Sequence, residues 1–227
     1  MSLLRAVVFD FDGIVLDSET AEYESHRRIY ERCGASLTVG EWCDAIGVWN
    51  EGQSERVFAA LCERSPRAPA REAYFAERGR HFNELIPDAP MRGIGELLRA
   101  LDEAGVPAAI ASTSPGRWVR PSIERIGLAP LFRAIVSGDE VPRRKPAPDV
   151  YLEAARRLGV DPAHAVAIED SGPGVAAARA AGMRVVAIPH RLTMSHDLRG
   201  ADLRVTHAGE LTLERLRALM ALDVKYR

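Results

Sequence analysis

From about residue 91 onward the chain alternates short apolar runs with helical patterns that stop, again and again, at a glycine. LLRALDEAG ends at Gly105, SIERIG at Gly127, AARRLG at Gly159 and ARAAG at Gly182. Glycine just past a helix adopts the left-handed conformation without a Cβ penalty, so each is a stop signal. Apolar runs lie between these helices at 108–111, 134–136, 166–168, 185–188 and, more weakly, 203–205, and RAVVF at 5–9 is another. Unbroken apolar runs of this length, separated by helices, predict strands buried on both faces of a parallel sheet. The expected fold is a doubly wound, mostly parallel, Rossmann-like α/β sheet.

Residues 18–88 follow another pattern. SETAEYESHRRIYERCG, TVGEWCDAIG, GQSERVFAALCERS and PAREAYFAERGRHFNELI all read as amphipathic helices, with no strand between them. Four consecutive helices exceed what one crossover between strands needs. The expected organisation is therefore an α/β core from 1–17 and 89–227, with 18–88 inserted as a helical cap subdomain.

Composition narrows the function. A chain of 227 residues with 47% apolar and 27% charged residues is expected to be globular and soluble. Its net charge of −2 gives no electrostatic reason to expect nucleic acid or an anionic membrane as partner. No apolar run is long enough to span a bilayer, and MSLLRAVVFDFDG lacks the features of a signal peptide, so a cytoplasmic location is expected. Cys33, Cys43 and Cys62 show no metal-binding spacing and read as half-buried structural thiols. The six histidines are scattered. Only Lys145 and Lys225 are lysines among the 30 basic residues, so any lysine here is an exception.

In open parallel sheets, ligands bind beyond the carboxyl ends of the strands. Asp10 and Asp12 follow VVF, Ser112 follows AIA, and Glu169 and Asp170 follow VAI. A single aspartate after a strand would read as a turn or capping residue. Four carboxylates after two strands repel one another and imply a bound cation; the hard oxygen donors suit Mg²⁺. Ser112 opens STSP, where Ser114 is expected as the helix N-cap and Pro115 as the first helical residue. Taken alone, this segment suits ordinary capping as well as phosphate binding. Lys145, in RRKPAPD, would elsewhere be a surface charge, but in an arginine-dominated chain it suggests that a compact point charge is wanted. Together these residues form a phosphoryl-transfer site: Asp10 attacks phosphorus, and Asp12 protonates the leaving oxygen and then activates water. Ser112 and Lys145 hold the other oxygens.

The segments DFDGIVLDSE, Ser112, KPAPDVY and IEDSGPGVAAARAAGM, in this order over essentially the whole chain, resemble the haloacid dehalogenase superfamily. The branch most resembled carries a small helical cap after the first strand and includes β-phosphoglucomutase and phosphatases of phosphoglycolate and sugar phosphates. The resemblance implies an aspartyl-phosphate enzyme with Asp10 as nucleophile and Asp12 as general acid/base. Asp10, the Asp12 carbonyl and Asp170 would bind Mg²⁺ with Glu169 beside them, and Ser112, the Thr113 amide and Lys145 would bind phosphate. Gly13 and Asp17 would shape the turn into the cap, and IGVWNEG would be a specificity segment.

Two departures bear on the reaction. Where the mutase has a cap histidine this chain has Glu22, and where it has an arginine this chain has Asn50. Both favour a phosphatase of a small phosphorylated metabolite over a phosphosugar mutase. Dehalogenation needs neither Asp12 as acid nor Asp170 for a metal. A phospho-accepting receiver module, the reading from another class, takes phosphate after a middle strand and has no inserted cap. Arg78, Arg80 and His81 on the last cap helix are candidates for an anionic or polyol substrate, although a solvated helix face is the plainer expectation for them. The assembly expected is a monomer or weak homo-oligomer.

Overall fold

The computed structural model describes residues 4–43 and 52–221. Strand β1 (Ala6–Phe9) leads into four helices: α1 (Ser18–Arg32), α2 (Val39–Cys43), α3 (Gln53–Arg64) and α4 (Arg71–Leu85). Then follow α5 (Ile94–Glu103), β2 (Ala108–Ala111), α6 (Gly116–Arg125), β3 (Phe132–Val136), α7 (Asp149–Leu158) and β4 (Ala165–Glu169). The chain closes with α8 (Gly172–Ala180), β5 (Arg184–Ala187), β6 (Leu203–Arg204) and α9 (Leu213–Ala221). The expected strands and helices are all present, and the four glycine stops have φ between 68° and 88°.

All strand pairs are parallel, in the order β3-β2-β1-β4-β5-β6. The order runs outward from β1 one way to β2 and β3, and the other way to β4, β5 and β6. This places the ends of β2, β1 and β4 side by side at the point where the winding reverses. The period-2 alternation gives the sheet two unlike faces. One presents Val7, Phe9, Ile110, Val166 and Ile168 to the apolar sides of α5, α6 and α9. The other presents Ala6, Val8, Ala109, Ala111, Ala165 and Ala167 to the alanines of α7 and α8, where small residues on both sides let helix and sheet approach closely.

The helical block α1–α4 has its own buried cluster, built on Tyr23, Ile29, Tyr30, Trp42, Leu61 and Tyr74. Leu192, from the segment after β5, is buried in that same cluster and ties the block to the sheet. One expectation needs correcting: Cys33 and Cys43 are buried, but Cys62 is exposed. Its helix α3 buries only Leu61, so the next residue around the helix faces water.

Candidate active site

Asp10 follows β1 directly, and its amide donates to the Ile168 carbonyl of β4 at 2.9 Å, extending the pairing of the two strands past their ends. That pairing puts Asp10 beside Glu169 and Asp170. Oxygens of these three buried carboxylates lie within 4.8 Å of one another. Lys145 is 2% exposed, with Nζ 2.7 Å from Asp10 Oδ1 and 2.6 Å from Glu169 Oε1. The exceptional lysine is therefore buried between the carboxylates.

Glu169 is saturated. Its Oε1 accepts from Lys145 and from the Tyr151 hydroxyl at 2.5 Å, while Oε2 accepts from the Ser171 hydroxyl and the amides of Asp170 and Ser171. Gly174 makes room for it, because a Cβ there would lie 2.0 Å from the carboxylate. Gly13 does the same for Asp170: at φ +82°, a Cβ would meet Asp170 Oδ2 at 2.5 Å. Asp170 Oδ2 also accepts from His190 Nε2 at 2.9 Å. The tautomer follows from the other nitrogen, since Nδ1 accepts from the Leu192 amide at 3.3 Å and leaves the proton on Nε2.

Burial, then the charges of Glu169 and Asp170, push the Asp10 carboxyl well above the ordinary aspartate range against the opposing pull of Lys145. Burial likewise raises Asp170, with His190 opposing it. For Lys145 burial favours the neutral amine, but Asp10 and Glu169 outweigh it and hold the ammonium form. One ammonium does not neutralise three buried carboxylates. A hard divalent cation held through oxygen fits this donor set.

The Asp12 side chain faces away from this cluster, into a cleft of about 360 Å³ between the helical block and the sheet edge. Its Oδ1 accepts from Ser18 Oγ and from Trp118 Nε1 at 3.0 Å; its Oδ2 accepts from Ser114 Oγ at 2.6 Å, with Ser112 Oγ at 3.4 Å. The capping expectation for Ser114 is thereby corrected. Helix α6 begins at Gly116 with Pro115 as its cap, and the Ser114 hydroxyl donates instead to Asp12 Oδ2 at the cleft. Asp17 caps α1, accepting from the Thr20 amide at 3.1 Å. Thr113 lies in the turn between Ser112 and Ser114, whose amide donates to Ser112 Oγ at 3.0 Å.

The far wall of the cleft is formed by Glu19, Glu22, Trp42, Gln53, Arg78 and Phe82. Arg78 Nη2 is 2.7 Å from Glu22 Oε1, and its guanidinium lies over the Phe82 ring. The solvated-face expectation thus fails for Arg78, which Glu22 draws inward. It holds for the exposed Arg80, while His81 pairs with Glu77 and Glu84 on the outer surface. Burial works to raise the Glu22 carboxyl, but His26 and Arg78 together hold it below the ordinary glutamate range. Burial and Asp12 push Glu19 well above that range. Asn50 and the greater part of IGVWNEG lie outside the described residues.

Trp118, Ser18, Ser114, His190 and Tyr151 are site residues that the sequence reading passed over. His190 was within reach: it follows the apolar run of β5 just as Asp170 follows that of β4. Trp118 and Tyr151 sit inside helical patterns, where an aromatic residue gives no sign of which face it serves.

A profile of haloacid dehalogenase-like hydrolases matches residues 7–188. The phosphorylated carbohydrates phosphatase of Thermotoga maritima is 32% identical over 83% of this chain and 87% of its own length. The β-phosphoglucomutase of Bacillus subtilis is 29% identical over 94% of each chain. The CbbY protein of Rhodobacter sphaeroides, solved with xylulose 1,5-bisphosphate, superposes with a TM-score of 0.71 at 26% identity, covering 94% of this chain and 99% of that one.

Proposed function

The chain belongs to the haloacid dehalogenase-like hydrolases, and from that membership we propose that it is a Mg²⁺-dependent phosphatase of a small phosphorylated carbohydrate, working through an aspartyl-phosphate at Asp10. The observation that carries this reading is the division of labour between the two aspartates. Asp10 sits among carboxylates and an ammonium at the strand ends, while Asp12 faces the cleft where a leaving group would lie.

In the first half-reaction an Asp10 carboxylate oxygen attacks phosphorus, and the bond to the leaving oxygen breaks as Asp12 protonates that oxygen. In the second, Asp12 takes a proton from water as the water oxygen attacks phosphorus, releasing phosphate and restoring Asp10. Asp10, Asp170 and the Asp12 carbonyl would hold Mg²⁺, which when bound neutralises charge between the carboxylates and the phosphoryl oxygens. Glu169, with both oxygens engaged, anchors Lys145 beside them. The Lys145 ammonium has three donors, of which Asp10 and Glu169 take two, so one is left for a phosphoryl oxygen. Ser112 and the Thr113 amide serve the remaining oxygens.

Residues 18–88 act as a cap on a core of 1–17 and 89–227, and the cap chooses the leaving group. Trp42 Nε1 and Arg78 Nε, buried donors without hydrogen-bond partners among the described residues, supply it with contacts from the cap side of the cleft. A mutase would need a second phosphate site there. Among the described residues Arg78 and Arg117 are the cations lining the cleft, and Arg78 is already paired with Glu22, which favours hydrolysis.

A panel of sugar phosphates assayed for phosphate release tests the reading, with activity expected to vanish in EDTA and return with Mg²⁺. Full activity in chelator would sink the metal site. Incubation with β-glucose 1-phosphate and a trace of glucose 1,6-bisphosphate separates the two reactions: free phosphate is expected, and catalytic glucose 6-phosphate formation would make the enzyme a mutase. Turnover of p-nitrophenyl phosphate would by itself dispose of a receiver module.

A further inference from the structure

Trp118 lies in the first turn of α6 with Nε1 3.0 Å from Asp12 Oδ1. Its ring is held from both sides of the cleft, by Phe11 of the core at 6.5 Å and Phe82 of α4 at 5.4 Å between centroids. The other donors to Asp12 are all hydroxyls: Ser18 on Oδ1, Ser114 and Ser112 on Oδ2. A hydroxyl can turn and accept a hydrogen bond, whereas an indole N–H only donates. That difference matters when Asp12 is an acid, because one of its oxygens must then carry a proton. A proton on Oδ1 sets O–H against the fixed N–H of Trp118. A proton on Oδ2 meets only hydroxyls, which can reverse to accept it.

We propose that Trp118 is a positioning residue that places the catalytic proton of Asp12 on Oδ2. The inference rests on the phosphatase reading above. In the first half-reaction the Oδ2–H bond breaks as the leaving oxygen gains that proton and keeps the electron pair of its broken bond to phosphorus. The carboxylate so formed is the state that the indole and the hydroxyls can all donate to. In the second half-reaction the attacking water returns its proton to Oδ2.

The test compares two aryl leaving groups in Trp118→Phe, which keeps a ring against Phe82 and removes the N–H donor along with part of the ring. Phenyl phosphate expels phenolate, whose conjugate acid has a pKa of about 10, and so needs a well-placed acid; p-nitrophenyl phosphate expels a far weaker base and needs it little. The quantity read is kcat/KM, which covers steps only as far as formation of the phosphoenzyme. The fall should be larger by about tenfold or more for phenyl phosphate than for p-nitrophenyl phosphate. The second substrate also reports that the variant is folded. An equal loss on both substrates would reduce Trp118 to a packing residue and overturn the inference, as would no loss on either. Wild-type protein inert toward both would instead overturn the phosphatase reading, and the inference with it.

Discussion

The charged cluster at the strand ends and the helical block that walls the cleft beside Asp12 are built in opposite ways. At the strand ends Asp10, Lys145, Glu169 and Asp170 are at most 7% exposed, and each is held by backbone amides or by another member of the cluster. On the block side Glu22 and Arg78 have side chains 23% and 25% exposed, and they are held by each other, by His26 on Glu22 and by the Phe82 ring under Arg78. Chemistry common to every phosphate ester can be fixed in a rigid lattice, because the phosphoryl group does not change. A leaving group does change, and the wall that meets it is made of long side chains that can be exchanged without disturbing the sheet.

If this contrast is right, substitutions on the two walls should differ in kind as well as size. Asp10→Asn should lower kcat by roughly 10⁴-fold or more with the fold intact, because the proposed nucleophile and proposed metal ligand are lost together. Glu22→Gln should change kcat by less than about tenfold, and comparable losses in the two variants would erase the distinction between the walls. Lys145→Met comes next. It leaves Asp10 and Glu169 buried without their cation, and removing one partner of such a group costs about 3–5 kcal/mol, readable as a shift in urea midpoint. A metal-saturated sample should recover part of that loss, and a variant as stable as wild type would show that the cluster does not depend on its ammonium.

Arg78→Ala should act on KM more than on kcat, raising it about tenfold for the best substrate of the panel, as expected for the loss of one charged hydrogen bond. A fall in kcat alone would move Arg78 from the leaving-group wall into the chemistry. The smallest effect belongs to the outer surface of the block. Arg64, followed by Thr38, holds the Glu41 carboxyl down at about 2, against an ordinary value of 4.5. A carboxyl lowered on folding contributes stability that is complete above its unfolded value and is lost as pH falls through the folded one, here between 4.5 and about 2. Both side chains are about two-fifths exposed, so solvent screening keeps the contribution to about 0.5 kcal/mol or less. Glu41→Gln should therefore differ slightly from wild type in urea midpoint at pH 7 and not at all near pH 2. A large difference at neutral pH would mean that the block is held together by its surface pairs and not by its aromatic core.

How much of this was legible in the chain follows the same division. Apolar runs located the strands among the described residues, and most securely the inner ones β1, β2, β4 and β5, because a strand buried on both faces admits almost nothing but apolar residues. The same logic placed Asp10, Asp12, Ser112, Glu169 and Asp170 at one edge, since in a parallel sheet every residue directly after a strand arrives at the same edge. Lys145 was only hinted at, by its rarity and its place before Pro146, and the fold shows it buried between Asp10 and Glu169.

What the sequence could not decide was which groups meet across the cleft. Ser114 reads as a helix cap until a carboxylate from β1's loop competes for its hydroxyl, and Arg78 reads as a surface residue until Glu22 on another helix turns it inward. Trp118 is a helix residue among others until α6 is docked against Asp12. Strand order and site edge are set by short-range rules of period and burial, which any window of sequence carries. The bonds of Arg78 to Glu22 and of Ser114 and Trp118 to Asp12 join residues 56 to 106 positions apart, and only the packed fold fixes the distance and angle on which each hydrogen bond depends.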